Sequence, residues 1–219
     1  MTDTPTGTEP TTGQARNLSH AEPSPEGPAG ARPSPTEPSL DKPFLYVVVC
    51  AAGIAVEVSK LITAAQERDW EVGVIATPVA MGGFFDAAAV EAQTGRPIRS
   101  AWRSPGDPRP FPPPDAVVVA PATFNTINKW AAGTADTLAL GTLCEAYGLG
   151  VPIAVLPCVA DALAAHPAYR ASLERLRGMG VRFGDPYAGD TDEDGGRPEF
   201  HWARALDLLA PEADDVDSG

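Results

Sequence analysis

Residues 117 to 126 read Val-Val-Val-Ala-Pro-Ala-Thr-Phe-Asn-Thr. An apolar, β-branched run stops on Pro121 and Ala122, and the small polar side chains Thr123, Asn125 and Thr126 follow. A buried parallel strand that ends on polar residues at a helix start is where open α/β sheets hold anionic ligands. Three other segments have the same character. Ala51-Ala52-Gly53-Ile54-Ala55 is a small-residue turn whose backbone amides suit a phosphate. Thr77, in Thr77-Pro78-Val79-Ala80, offers a hydroxyl to the same group, and Pro157-Cys158 closes a fourth apolar run. The turn at Gly53 lacks the Gly-x-Gly-x-x-Gly spacing, so no dinucleotide fingerprint is present. Together the four segments favour an anionic cofactor of mononucleotide size.

Placing these groups side by side requires strands that alternate with helices. Phe44 to Cys50 is continuously apolar, the pattern of a strand buried on both faces. Ile54 to Arg68 has helical periodicity, Glu71 to Ala76 reads as a second strand, and Asp86 caps a helix through Thr94. Ala116 to Ala120 is the third strand, followed by one long helical stretch from Ile127 to Tyr147. Pro152 to Leu156, a helix over Pro167 to Met179, and a short strand at Val181 to Phe183 complete the alternation. A last short helix runs from near Glu199 to Leu209, while Ser104 to Pro114 and Gly184 to Gly196 read as loops. The expected fold class is α/β, a three-layer, doubly wound parallel sheet of Rossmann-like or flavodoxin-like type.

Composition bounds the rest. The 219 residues supply one domain: a Pro/Thr/Ser-rich tail over 1–42, a folded domain over 43–210 and an acidic tail over 211–219. The N-terminal tail has too few large apolar side chains to offset ordering entropy, so disorder is expected there. A net charge of −13 disfavours a nucleic-acid groove, which needs clustered Lys and Arg. The late acidic runs, Asp190 to Asp194 and Asp214 to Asp217, read as solvated tails, and no metal is assigned to them. Three widely spaced cysteines suit a reducing compartment and make neither a disulfide framework nor a zinc site. With no secretory signal and no membrane-spanning run, the expectation is a cytoplasmic protein.

The segment Pro121-Ala122-Thr123-Phe124-Asn125-Thr126 resembles the Pro-Ala-Ser-Ala-Asn-Thr motif of the FMN-dependent flavoproteins. That group includes phosphopantothenoylcysteine decarboxylase, the lantibiotic-type peptidyl-cysteine decarboxylases and the flavin prenyltransferases. The similarity continues through Lys129, Ala131, Gly133, Ala135 and Asp136. Upstream it takes in Gly53-Ile54-Ala55, Lys60, Phe84 and Glu91 to Pro97; downstream, Pro157, His166-Pro167 and Gly196 to Glu199. It covers residues 44 to 209. The resemblance implies FMN as cofactor, held by Gly53, Ile54, Ala55, Thr77, Phe84, Pro121, Ala122, Thr123, Asn125 and Thr126. The first turn and Thr77 would face the phosphate, and Thr123 and Asn125 the ribityl chain and ring. It also implies a homotrimer, or a dodecamer of trimers.

Two segments depart from the family pattern. The decarboxylases carry a His in a short helix before the third strand; here Ser104 to Pro114 replaces it, and no His lies between 21 and 165. Their Pro-x-Met-Asn-x-x-Met-Trp segment reads Pro157-Cys158-Val159-Ala160-Asp161-Ala162-Leu163-Ala164, with Ala160 in place of the Asn that binds the substrate carboxylate. Candidate stand-ins are Arg103 and Arg109, which could pair with a carboxylate, and Cys158 and Asp161 beside the altered segment. The plainer readings are solvated charge for the arginines and a small packed side chain for Cys158. They also make His166 a structural residue, Trp102 a seal on the core, and Glu57 with Lys60 a solvated pair. Two functions follow. One is a divergent, decarboxylase-like flavin enzyme with a rebuilt pocket and an unknown small-molecule or peptide substrate; the other is a catalytically inactive FMN-binding regulatory or oligomerisation protein.

Overall fold

A computed structural model describes residues 42–107, 109–188 and 199–210. The expected tails, the acidic runs, most of the Gly184–Gly196 loop and residues 196–198 of the late turn lie outside the described residues. Five parallel strands run in the order β2-β1-β3-β4-β5: β1 Phe44–Val49, β2 Glu71–Ala76, β3 Ala116–Ala122, β4 Ile153–Pro157 and β5 Arg182–Phe183. This is the doubly wound arrangement expected, with the strand order of the flavodoxin-like fold.

Side chains alternate between the two faces, as strand geometry requires. Leu45, Val47 and Val49 of β1 join Val118 and Ala120 of β3 against α1 (Ser59–Gln66), α2 (Ala87–Thr94) and α7 (Arg204–Asp207). Val48, Val117 and Val119 point the other way, against α3 (Phe124–Ala131), α4 (Leu138–Gly148) and α6 (Pro167–Gly178). All of β3 is buried. Continuous apolar runs are therefore the expected sequence for these strands. Among the described residues no helix is long and apolar enough to cross a membrane.

Several boundaries differ from those read in the sequence. The stretch after β1 begins as a 3-10 helix, Gly53–Glu57, and only then becomes α1. The single helix expected over Ile127 to Tyr147 is two, α3 and α4, separated at Gly133, whose φ of 75° lies in the left-handed region. Lys129 and Asp136 pair across that break at 2.6 Å. Thr137 then caps α4 by accepting from the Leu140 amide. The C-terminal helix is confined to α7. A four-residue helix, α5 (Asp161–Ala164), was not foreseen, because its sequence is too short to show a period.

The Pro-rich segment between α2 and β3 is a strap fixed at both ends. Arg99 extends the edge of β2: its amide donates to Val74 O at 3.0 Å and its carbonyl accepts from Ala76 N at 2.8 Å. At the other end the Phe44 amide donates to the Asp115 carboxylate at 2.7 Å, and Tyr46 Oη donates to Pro112 O at 2.7 Å. Phe111, between them, is buried over Gly73 of β2. A β-carbon at Gly73 would stand 2.9 Å from both the Phe111 and Phe44 rings. Gly73→Val is expected to destabilise the protein by about 1–3 kcal/mol through overpacking. Gly178→Ala, where a β-carbon meets nothing within 4 Å, should be neutral or stabilising. Urea unfolding midpoints check both.

Candidate functional site

The residues that leave the sheet at its carboxyl edge are tied into one row by backbone hydrogen bonds. Thr77 N donates to Val49 O at 2.9 Å, Cys50 N to Pro121 O at 3.2 Å, and Cys158 N to Ala122 O at 2.8 Å. Each bond joins one strand's exit to a carbonyl at the end of its neighbour. The four segments singled out in the sequence, at Gly53, Thr77, Pro121–Thr126 and Pro157–Cys158, thus emerge along one edge. The register between β3 and β4 shifts between Val119 and Ala122, where a cis peptide joins Ala120 to Pro121.

Along this edge the side chains divide by burial. Ala55, Pro121, Ala122 and Thr126 are buried, Ile54, Thr77, Phe84 and Thr123 are half-buried, and Gly53 and Asn125 are exposed. Ala55 N closes the first turn on Ala52 O at 2.9 Å, so the amides of Gly53 and Ile54 precede the first intrahelical donor. A β-carbon at Gly53 would meet nothing within 4 Å, so space lies open beside that turn. Thr77 Oγ1 accepts from the Ala80 amide at 3.3 Å, an ordinary turn closure that leaves its own hydroxyl proton to direct. Thr123 caps α3 through its hydroxyl, which also lies 3.1 Å from the Thr126 hydroxyl. Burial pushes the Cys50 thiol pKa up, against the opposing effect of hydrogen bonds with Thr126 and Thr123. Thr126 therefore belongs to the floor, and Thr123 and Asn125 to the accessible rim. An open space beside two uncommitted amides, with hydroxyl and amide side chains along the rim, fits a phosphate-bearing cofactor.

The four catalytic candidates fall in two places. Cys158 and Asp161 leave β4 together. Cys158 is half-buried, not packed away, and its Sγ lies 3.6 Å from Tyr187 Oη. Asp161 is exposed at the first position of α5. Arg103 and Arg109 sit on the strap, lining a cavity between it and α4 that includes none of the strand-exit residues. Asp107, within the Pro-rich strap, closes a local turn. Its carboxylate accepts from Ser104 N at 2.8 Å and its carbonyl from Arg103 Nη1 at 2.7 Å.

His166 caps α6, its Nδ1 accepting from Ala168 N at 3.1 Å, and its ring stands edge-on to Phe124. That agrees with a structural role. Glu57 and Lys60 form the expected exposed pair at 2.7 Å. Trp102 does not seal the core: it is 60% exposed and lies against Gly141 of α4. The sequence reading missed Tyr187, whose approach to Cys158 joins chain segments 29 residues apart and has no local signal.

Burial pushes the Tyr187 phenol up to about 12, and the hydrogen bond and charge of Cys158, then the charge of Asp185, add to it. A phenol raised in the folded state above its ordinary value favours folding at pH below about 10, and loses that contribution as pH rises toward its folded value. Ultraviolet titration should show Tyr187→Phe matching the wild type in phenolate absorbance near pH ~11. Cys158→Ala should bring the missing phenolate signal to lower pH. Loss of one tyrosine's share of phenolate absorbance at that pH in the Phe variant would show Tyr187 to be unshifted.

The sequence profile of the Flavoprotein family matches residues 33–204. The coenzyme A biosynthesis bifunctional protein CoaBC of Thermococcus kodakarensis is 36% identical over 72 residues, which make up 33% of this chain and 18% of that protein. The alignment thus spans less than a fifth of that curated relative. Among solved structures, the FMN-dependent cysteine decarboxylase SpaF superposes with a TM-score of 0.59 at 23% identity, covering 78% of this chain and 98% of SpaF. The FMN binding protein AtHal3 superposes at 0.58 and 20% identity, over 77% of this chain and 96% of its own. Likeness at these identities is one of fold, whereas the profile match covers most of the sequence: the chain belongs to the Flavoprotein family.

Proposed function

We propose that this protein binds FMN along the row of strand exits and is a flavin-dependent, decarboxylase-like enzyme whose substrate pocket has been rebuilt. The observation that carries the reading is the lateral tie between Thr77, Cys50, Pro121, Ala122 and Cys158. It puts the open turn at Gly53, the Thr77 hydroxyl and the Thr123–Asn125 rim on one edge. There the first-turn amides and Thr77 would hold the phosphate. Thr123 and Asn125 would hydrogen-bond the ribityl chain and the ring, and Phe84 would pack beside them. When bound, FMN supplies a two-electron oxidant for a substrate such as a thiol. The FMN dependence of SpaF and the FMN binding of AtHal3 support FMN rather than another flavin.

The chain's own residues set what happens next to the flavin. Ala160 offers no donor to a substrate carboxylate at the exit of β4. The strap offers no imidazole, and Asp107 is engaged in its own turn. Among the described residues, Cys158, Tyr187 and Asp161 bring polar side chains to this end. The Tyr187 phenol, held protonated, can donate to a substrate anion but does not act as a base near neutral pH. These replacements favour a substrate other than one whose carboxylate is gripped by an Asn. A second reading keeps the cofactor and drops the chemistry, leaving an FMN-binding regulatory protein, and the same replacements favour it.

A homotrimer with FMN at the subunit boundary also belongs to this proposal. Val56 and Val79, each 65% exposed, and Met81 flank the strand exits and give that edge an apolar rim suited to a second copy.

Purified protein should be yellow and release FMN, identified by mass, on denaturation. Thr77→Val and Asn125→Ala should each weaken FMN about fivefold, from the loss of roughly 1 kcal/mol per hydrogen bond. A colourless protein that takes up no added FMN would rule out both readings. Holo-protein that converts cysteine-ended peptides or phosphopantothenoylcysteine to decarboxylated product would show that neither the His nor the Asn is required.

A further inference from the structure

A cavity of about 470 Å³ lies between the Pro-rich strap and α4, within the size range of small-molecule sites. Gly53, Thr77, Thr123, Asn125 and Cys158 do not line it, so it is separate from the strand-exit edge. Its apolar walls are ring-rich. Phe111 and Tyr46 pack edge-on at 5.7 Å, and the prolines of the strap adjoin them. Trp102 forms part of the mouth. Its indole lies where a side chain at Gly141 would otherwise stand, so α4 supports the ring while most of its surface stays open. Such walls favour a flat, unsaturated ligand body.

The polar groups give the ligand its ends. Arg99, Arg103 and Arg109 line the cavity from the strap, and Glu145 lines it from α4. Among the described residues none of these four is ion-paired. The backbone of Arg99 is held in the edge of β2, and its guanidinium reaches Ala101 O at 3.3 Å. Arg103 uses one guanidinium nitrogen on Asp107 O and keeps the rest of its fork. Tyr46 lines the same cavity as Arg99, Arg109 and Glu145, with its hydroxyl among the polar groups there. That hydroxyl donates to Pro112 O and can still accept a bond. Positive charge thus exceeds negative in a partly enclosed space, on a chain whose net charge is −13. A planar carboxylate matches a guanidinium fork in two parallel bonds. A dianion such as a phosphate ester would add repulsion from Glu145, whereas a hydroxyl or amine on the ligand would donate to it.

We propose that the cleft between the strap and α4 binds an aromatic carboxylate that also carries a hydrogen-bond donor. The arginines take the carboxylate, Glu145 accepts from the donor, and Trp102, Tyr46 and Phe111 contact the ring. The site does not depend on flavin being bound.

Calorimetric titration of the full chain with 4-hydroxycinnamate, its neutral amide and cinnamate tests this. The hydroxy acid should bind saturably, with one site per chain. The amide should bind about tenfold more weakly or worse, as expected when a charged hydrogen bond is lost, and cinnamate several-fold more weakly. Arg109→Gln should weaken the hydroxy acid by about tenfold. Glu145→Gln should reduce the preference for it over cinnamate. Gly141→Leu, which displaces Trp102, should weaken all three ligands while circular dichroism and flavin content stay unchanged. No saturable binding of the hydroxy acid at millimolar concentration would overturn the proposal, as would equal affinity for acid and amide or indifference to Arg109→Gln. Flavin content, read in the same samples by absorbance, reports separately on the strand-exit site.

Discussion

The sheet is dry on both faces, and everything functional follows from that constraint. Every residue of β3 is buried, as are five of the six of β1. A polar group on either face would lose its hydration without a partner at a cost of roughly 1–3 kcal/mol. Polar chemistry is thereby driven to two places: the carboxyl edge, where strands turn into loops, and the segments laid across the outside of the layers. The row of exits from Thr77 to Cys158 is the first, and the strap over β1 and β2 is the second.

The two places are held by different means. At the strand exits the positions come from backbone hydrogen bonds that continue the sheet ladder, so they tolerate many side chains. That suits an edge where Gly53 must leave space and Thr123 must both cap α3 and face outward. The strap has few backbone amides to spend, because proline lacks the donor. It is seated by side chains instead: Phe111 on Gly73, Asp115 on the start of β1, and Tyr46 on Pro112. Such a segment can change its chemistry without disturbing the sheet.

Much of the fold was legible in the sequence. Continuous apolar runs marked strands buried on both faces, Asp86 marked a helix start, and alternation of strands with helices gave a parallel sheet. The division between α3 and α4 was not legible from the period, since both sides of Gly133 carry apolar residues at helical spacing. Only the left-handed backbone at that glycine and the Thr137 cap separate them. At the candidate site, the small polar residues at strand ends were recognisable by type, because the fold class puts all carboxyl ends on one edge.

By itself the sequence determined the doubly wound α/β class, the identity of the exit residues, and the absence of a His from the strap and of an Asn from position 160. These are properties of local pattern and residue type. Tertiary structure alone decided that Thr126 is floor and Asn125 rim, and that Cys158 faces Tyr187. It also decided that Trp102 lies outside the core on Gly141, and that Arg99, Arg103, Arg109 and Glu145 surround one cavity. Each of these depends on two segments far apart in the chain meeting through side-chain packing, and no spacing along one segment encodes where the other will lie.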